Sequence, residues 1–155
     1  MTSATRTLPV RIAPLAADDR AAWELLARAY KNFYATATTD AQYAAAWQRL
    51  LLQDGVHGLA AFADGRLVGI AHYLFHTGVW ARTSCYLQDL FTAPEARGHG
   101  VARALIERVA EQARAQGAAR YYWHTQEHNA VARLLYNKIG KYAGFIRYDF
   151  ALPAA

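Results

Sequence analysis

Apolar and polar residues alternate in short runs along this chain, and the period of the alternation changes several times. Residues 10–14, VRIAP, alternate and end at a proline, which predicts a short first strand. Asp18 or Asp19 then precedes Trp23, Leu25, Leu26, Ala29 and Tyr30, which follow helical spacing, so a helix capped by one of the two aspartates is expected. After the softer stretch NFYATATTD, Asp40 opens a second helix with apolar positions at Tyr43, Ala44, Trp47, Leu50 and Leu51. In GLAAFADGRLVGIAHYLF two apolar runs flank Asp64-Gly65, a dipeptide that tolerates positive φ in a tight turn. This predicts a hairpin whose second strand continues to about His76.

Residues 83–92, TSCYLQDLFT, are rich in β-formers and read as another strand. Beyond Pro94 the period becomes helical. Val101, Leu105, Ile106, Val109 and Ala113 form an apolar stripe, and Arg103, Glu107, Arg108, Glu111 and Arg114 cover the opposite side. Gly117 is placed to end that helix in a left-handed conformation. ARYYWHT predicts a strand, residues 129–138 a helix, and FIRYDFAL a final strand. The resulting order, β, α, α, β, β, β, α, β, α, β, belongs to the α+β class. The strand–helix–strand between Cys85 and Thr125 needs a crossover, so its two strands should be parallel neighbours. With no internal repeat or low-complexity linker, residues 1–155 read as a single domain with its core at about residues 10–150.

Composition narrows the class. The 155 residues are 54% hydrophobic and 19% charged, which is ordinary for a globular domain and long enough for a core. No apolar run has the length to cross a bilayer, so no membrane partner is expected. The opening MTSATRTLPVRI lacks the apolar segment of a secretory signal. Cys85 is the single cysteine, which rules out a disulfide within the chain and fits a reducing, cytoplasmic setting. The net charge of +5 favours an anionic partner. The arginines are scattered among glutamates rather than clustered, which makes nucleic acid a weaker option than a phosphorylated small molecule; solubility alone is the other reading of the charge.

Candidate chemistry is concentrated at Arg97-Gly98-His99-Gly100, directly before the amphipathic helix. Unpaired N–H groups and a partial positive charge occupy the first turn of any helix, and glycines let an anion approach them. From these residues alone two readings stand: a turn that re-aims the chain, and a cradle for a phosphate group. The loop is neither a dinucleotide fingerprint nor a Walker A loop. His72 and His76, like His124 and His128, are four apart. They lie on or beside strands without a cysteine or carboxylate cluster, so no metal is expected. Asn129, Ala132 and Tyr136 share one face of the late helix. Spacing alone favours Tyr136 as a core aromatic.

The segment from Arg97 to Ala102 resembles the Q/R-x-x-G-x-G/A signature of the GNAT superfamily of N-acetyltransferases. The likeness extends upstream through YLQDLFTAPEARGHG and downstream through YYWHTQEHNAVARLLYNKIG, and covers roughly residues 10–150. It implies the acyl-CoA N-acyltransferase fold: a mixed, mostly antiparallel sheet with a splayed parallel strand pair, flanked by about four helices. It implies acetyl-CoA as cofactor. Its pyrophosphate would be held by backbone N–H groups along Arg97, Gly98, His99, Gly100, Val101 and Ala102. Its thioester and pantetheine arm would lie along Leu90, Phe91 and Thr92. In the same way the resemblance implies that Asn129 contacts the pantetheine arm, that Ala132 permits close approach, and that Tyr136 protonates the departing thiolate.

Many relatives carry Glu-Asp in the strand where this chain has Gln88-Asp89. Gln88 cannot act as a base, so Asp89 is the remaining carboxylate. It either binds a cationic amine, accepts a proton through water, or is structural; His124 and His128 are alternative bases. Arg133 and Lys138 are candidates for the 3′-phosphate of the cofactor, or solvated surface charge. Tyr30, Phe33 and Tyr34, with Asp40 nearby, either wall an acceptor pocket or pack in the core. The long link from Gly140 to Phe145 resembles a subgroup containing a fungal histone acetyltransferase and small-amine acetyltransferases, whose members often dimerise through C-terminal strands. The function implied is acetyl transfer from acetyl-CoA to a primary amine of a small molecule, by direct attack in a ternary complex. A protein lysine as acceptor and an inactive CoA-binding sensor are the alternatives.

Overall fold

Asp64 and Gly65 both adopt positive φ, +50° and +73°, and turn the chain between β2 (His57–Ala63) and β3 (Arg66–His76) as the dipeptide predicts. These strands begin the sheet of the computed structural model, which describes residues 8–154. Residues 1–7, most of the stretch read for a leader, and residue 155 lie outside that description. β1 (Arg11–Pro14), β4 (Ser84–Thr92) and β5 (Arg120–Trp123) complete a five-stranded sheet in the order β1-β2-β3-β4-β5. The first four strands pair antiparallel; β4 and β5 pair parallel, as the crossover requires.

Helices cover both faces of the sheet. α1 (Arg20–Phe33) and α2 (Asp40–Leu52) bury Trp23, Ala27, Tyr43, Trp47 and Leu50 against Ile70 of β3 and Phe91 of β4. The opposite face receives α3 (Val101–Ala115). There Gly69 is required by space: a Cβ would stand 2.7 Å from Val101 Cγ1 and 3.1 Å from Leu105 Cδ1. Val101, Leu105 and Val109 are fully buried, each contributing roughly 1.5–3 kcal/mol over an exposed side chain. Successive strand residues point to opposite faces, so the Ile70 and Phe91 contacts identify which side chains share the α1 face.

The helix ends follow sequence signals with one correction. Thr39 Oγ1 accepts from Gln42 N–H at 3.2 Å and Gln42 Oε1 accepts from Thr39 N–H at 2.8 Å, a capping box ahead of Asp40. Gly117, at φ +67°, ends α3 as expected. Asp19 precedes α1 but does not cap it. Its carboxylate accepts Ala16 N–H at 2.8 Å and closes a single 3-10 turn, Ala17–Asp19.

The chain divides into two compact units, one ending at Trp123 and one beginning at His124. The second contains α4 (Ala130–Ile139), with Asn129 as its N-cap. The strand expected at FIRYDFAL is not formed, and residues 141–154 adopt neither helix nor strand. Their alternation suits a strand, but a strand needs a partner for its backbone groups. α4 is the sole regular element in this unit's described residues, so no ladder is available there. Phe145, Ile146, Tyr148, Phe150 and Leu152 are exposed.

Candidate active site

An irregularity in β4 creates the site's side-chain half. His72 pairs with Asp89, but the next residue, Tyr73, pairs with Leu87. Gln88 is therefore an extra residue with no partner on β3, a β-bulge. Without it, Tyr86 and Asp89 would face opposite sides of the sheet. With it, Tyr86, Asp89 and Phe91 share the α1 face, and Gln88 is exposed. Gln88-Asp89 is thus the pair at which the strand re-aims its side chains.

Asp89 is enclosed on that face. His72 Nδ1 lies 2.9 Å from Asp89 Oδ2, and both side chains are mostly buried. The Tyr30 hydroxyl of α1 hydrogen-bonds to the same carboxylate. Burial alone would push the Asp89 carboxyl up; the interaction with His72, the Tyr30 hydroxyl and the charge of Lys31 outweigh it and hold the group below its ordinary value. Burial, reinforced by the Asp89 charge, pushes the Tyr30 and Tyr34 hydroxyls up. Both phenols therefore stay protonated as donors. Tyr30 packs edge-on against Tyr34 at 5.0 Å and Phe91 at 6.1 Å. Tyr86 stacks on Tyr122 of β5 at 5.1 Å. The result is one ionised carboxylate in an aromatic surround, an environment suited to a cation. Of the three aromatics expected near an acceptor, Tyr30 and Tyr34 stand beside Asp89, while Phe33 packs on Tyr34 and is largely exposed. Asp40 instead pairs with Arg28 at 2.6 Å.

The backbone half begins where β4 and β5 separate. Their pairing runs only from Ser84↔Arg120 to Leu87↔Trp123, while β4 continues to Thr92. Among the described residues no strand pairs with residues 88–92 on that side. Ala93 N–H bonds to the Val68 carbonyl on the β3 side, and the direction alternates along a strand, so Leu90 and Thr92 turn their backbone groups to the opened edge while Phe91 turns its own to β3. The buried Thr92 hydroxyl has no hydrogen-bond partner. One 3-10 turn, Pro94–Ala96, leads into the glycine loop. Gly98 and Gly100 adopt φ of +77° and +85°, the left-handed region that other residues reach only with strain. Gly100 is the N-cap of α3 and has no side chain to satisfy the first-turn N–H groups of Val101, Ala102 and Arg103. Glycines and an uncapped helix start form an anion-accepting cradle. Arg97, expected to add charge, donates from Nε to the Thr92 carbonyl at 3.1 Å, with its guanidinium 5.3 Å from the centre of the Phe91 ring.

In the second unit, Asn129 Oδ1 accepts from Ala132 N–H at 3.4 Å, while its amide donates to Thr125 Oγ1 at 3.2 Å. Its side chain therefore has a local structural role as a cap. Tyr136 lies on α4 one turn beyond Ala132. Arg133 donates to the Glu127 carbonyl at 2.7 Å and lies over the Tyr142 ring. Among the described residues no three His, Cys, Asp or Glu side chains gather to hold a metal. His72 and His76 separate by partner: His76 bonds to the Tyr122 hydroxyl at 2.8 Å. Cys85 is buried, and burial pushes its thiol up to about 11, which removes it as a nucleophile near neutral pH. Sequence reasoning missed His72, Trp23 and Tyr86 as neighbours of the site. The one local signal was a histidine interrupting the apolar run of β3.

Residues 20–141 match the acetyltransferase (GNAT) family. Over 125 residues, 78% of either chain, the sequence is 34% identical to a D-amino-acid N-acetyltransferase of Saccharomyces cerevisiae. Over 84 residues, 54% of this chain and 52% of the relative, it is 31% identical to a thialysine N-epsilon-acetyltransferase of Caenorhabditis elegans. Among solved structures it resembles AAC(6')-Iy in complex with a bisubstrate analogue, CoA-S-monomethyl-acetylneamine, with a TM-score of 0.83 at 18% identity, covering 94% of this chain and 99% of that one.

Proposed function

The chain belongs to the acetyltransferase (GNAT) family, has its fold and is an acetyl-CoA-dependent N-acetyltransferase; we propose that its acceptor is the primary amine of a small cationic molecule, such as an amino acid or a polyamine. The observation that carries this reading is Asp89, held ionised on an aromatic face where β4 opens. The names of the relatives, one acting on D-amino acids and one on thialysine, support an acceptor of this size.

Acetyl-CoA supplies a thioester carbonyl and a thiolate leaving group. The uncapped N-terminus of α3, with Gly98 and Gly100, fits its pyrophosphate. Backbone groups of Leu90 and Thr92 fit its pantetheine arm and donate to the carbonyl oxygen as negative charge develops there. Asp89 attracts the ammonium form of the acceptor, and its lowered proton affinity makes it a better counter-charge than a proton acceptor. The amine releases its proton to water before attack. The family resemblance assigns to Tyr136 the proton that the departing sulfur takes, restored to the phenol by the proton that the new amide nitrogen sheds, and assigns to Asn129 and Ala132 contact with the arm.

The proposal treats residues 1–155 as one acetyltransferase domain, since the family match runs across both compact units. It places the protein in the cytoplasm, in keeping with a lone buried thiol, and gives it no nucleic-acid or membrane partner. It makes the protein a homodimer, with the exposed, alternating residues 145–152 paired against a second copy. Release of free CoA thiol, measured with spermidine, L-lysine and D-lysine as acceptors, tests the activity. Turnover with at least one is expected. Cofactor binding with no turnover on any amine would contradict it.

A further inference from the structure

We infer that His72, held by Trp23, is the positioning residue that aims Asp89 at the acceptor amine. The inference rests on the reading of Asp89 as the amine's counter-charge. It concerns what makes that carboxylate usable inside a mostly buried face.

The indole N–H of Trp23 lies 2.9 Å from His72 Nε2. An indole nitrogen only donates, so Nε2 is the acceptor and carries no proton. The imidazole is then neutral, its one proton sits on Nδ1, and Nδ1–H donates to Asp89 Oδ2 at 2.9 Å. Trp23 thereby selects the tautomer that serves Asp89. The opposite tautomer would set two lone pairs, on Nδ1 and Oδ2, against each other.

A neutral donor orients the carboxylate without cancelling its charge. An imidazolium in the same place would compete with the incoming ammonium for Asp89. The anchor of the relay is rigid: Trp23 is 1% exposed and packs on Trp47 with ring centres 5.1 Å apart. The strand register holds the other end, because His72 and Asp89 are directly paired beside the Gln88 bulge. Core packing is therefore transmitted through two hydrogen bonds to the carboxylate of Asp89.

Steady-state kinetics on four variants, with the best acceptor among spermidine, L-lysine and D-lysine, tests this. His72→Phe should raise the amine KM about tenfold, with kcat changed less and acetyl-CoA affinity retained. His72→Asn keeps an N–H near the Nδ1 position and should return KM to within about threefold of wild type. Trp23→Phe releases the tautomer and should fall between them. Asp89→Asn fixes the scale. If Asp89→Asn leaves the amine KM unchanged, the Asp89 reading fails and this inference with it. If Asp89→Asn raises KM but His72→Phe does not, or His72→Asn is as poor as His72→Phe, the positioning role alone fails. Should the Phe variants not fold, nitrogen-15 NMR of wild-type imidazoles decides. A neutral His72 protonated at Nδ1 supports the inference, and a proton at Nε2 overturns it.

Discussion

The two halves of the site in the first unit are made of different materials. The loop from Arg97 to Gly100 presents backbone: two glycines at positive φ and a helix start that its own N-cap leaves bare. The Asp89 face presents side chains from three elements: His72 of β3, Asp89 of β4 and Tyr30 of α1. In the proposed function, backbone N–H groups of the loop would meet a feature common to every acyl-CoA, its pyrophosphate, and would tolerate few substitutions because the chain path itself supplies the donors. In the same proposal, side chains on the sheet face would meet the acceptor amine, and they can be exchanged without moving the path. A general half and a particular half are thus joined by one strand, whose bulge sets the particular half.

Damage to chemistry should exceed damage to either binding half. Tyr136→Phe should lower kcat about a hundredfold or more in a CoA-release assay, while calorimetry finds acetyl-CoA affinity nearly intact. A large loss of binding instead would remove Tyr136 from the proton-transfer role. Next, Asp89→Asn should lower kcat/KM for the amine by about tenfold to a hundredfold, because a charge-assisted contact is lost, with acetyl-CoA affinity unaffected. An equal fall in acetyl-CoA affinity would erase the distinction between the two halves. Gly100→Val forces a β-branched residue to φ near +85° and crowds the cradle. It should weaken acetyl-CoA binding about tenfold while leaving amine KM at saturating cofactor near wild type.

The smallest effect is on stability. Asp89 has its carboxyl held low in the folded state. Its contribution is therefore complete above the ordinary carboxyl value of about 3.9 and is lost as pH falls through the lower folded value. The difference in Tm between wild type and Asp89→Asn should be constant from neutral pH to about 5 and shrink only in stronger acid. A difference that shrinks already near pH 6 would mean that Asp89 is not held ionised.

Legibility in the sequence followed the same division. The glycine loop is contiguous and local, so a turn at Arg97-Gly98-His99-Gly100 ahead of a helix could be read from spacing, as could Asp64-Gly65 and the stripe from Val101 to Ala113, while the choice of a phosphate cradle came from the family resemblance. The Asp89 face could be read only in part: Asp89, Tyr30 and Tyr34 were candidates through the resemblance, and their partners His72 and Trp23 were not. His72 is seventeen residues from Asp89 and Trp23 forty-nine from His72. The fold brings Trp23 of α1 to His72, and a ladder in which Gln88 is extra sets His72 opposite Asp89; nothing local marks Gln88 as a bulge. Asp19 was misread because its carboxylate turns back to Ala16 rather than forward into α1. FIRYDFAL was misread as a strand because alternation reports a suitable pattern, while a strand also needs a neighbour to pair with.

The division of labour is tested most directly by titrating acetyl-CoA calorimetrically into wild type, Asp89→Asn and Gly100→Val under one set of conditions. The account predicts micromolar binding to wild type, the same affinity for Asp89→Asn and a clear loss for Gly100→Val. No binding to wild type, or equal affinity in Gly100→Val, would contradict the assignment of the loop to the cofactor.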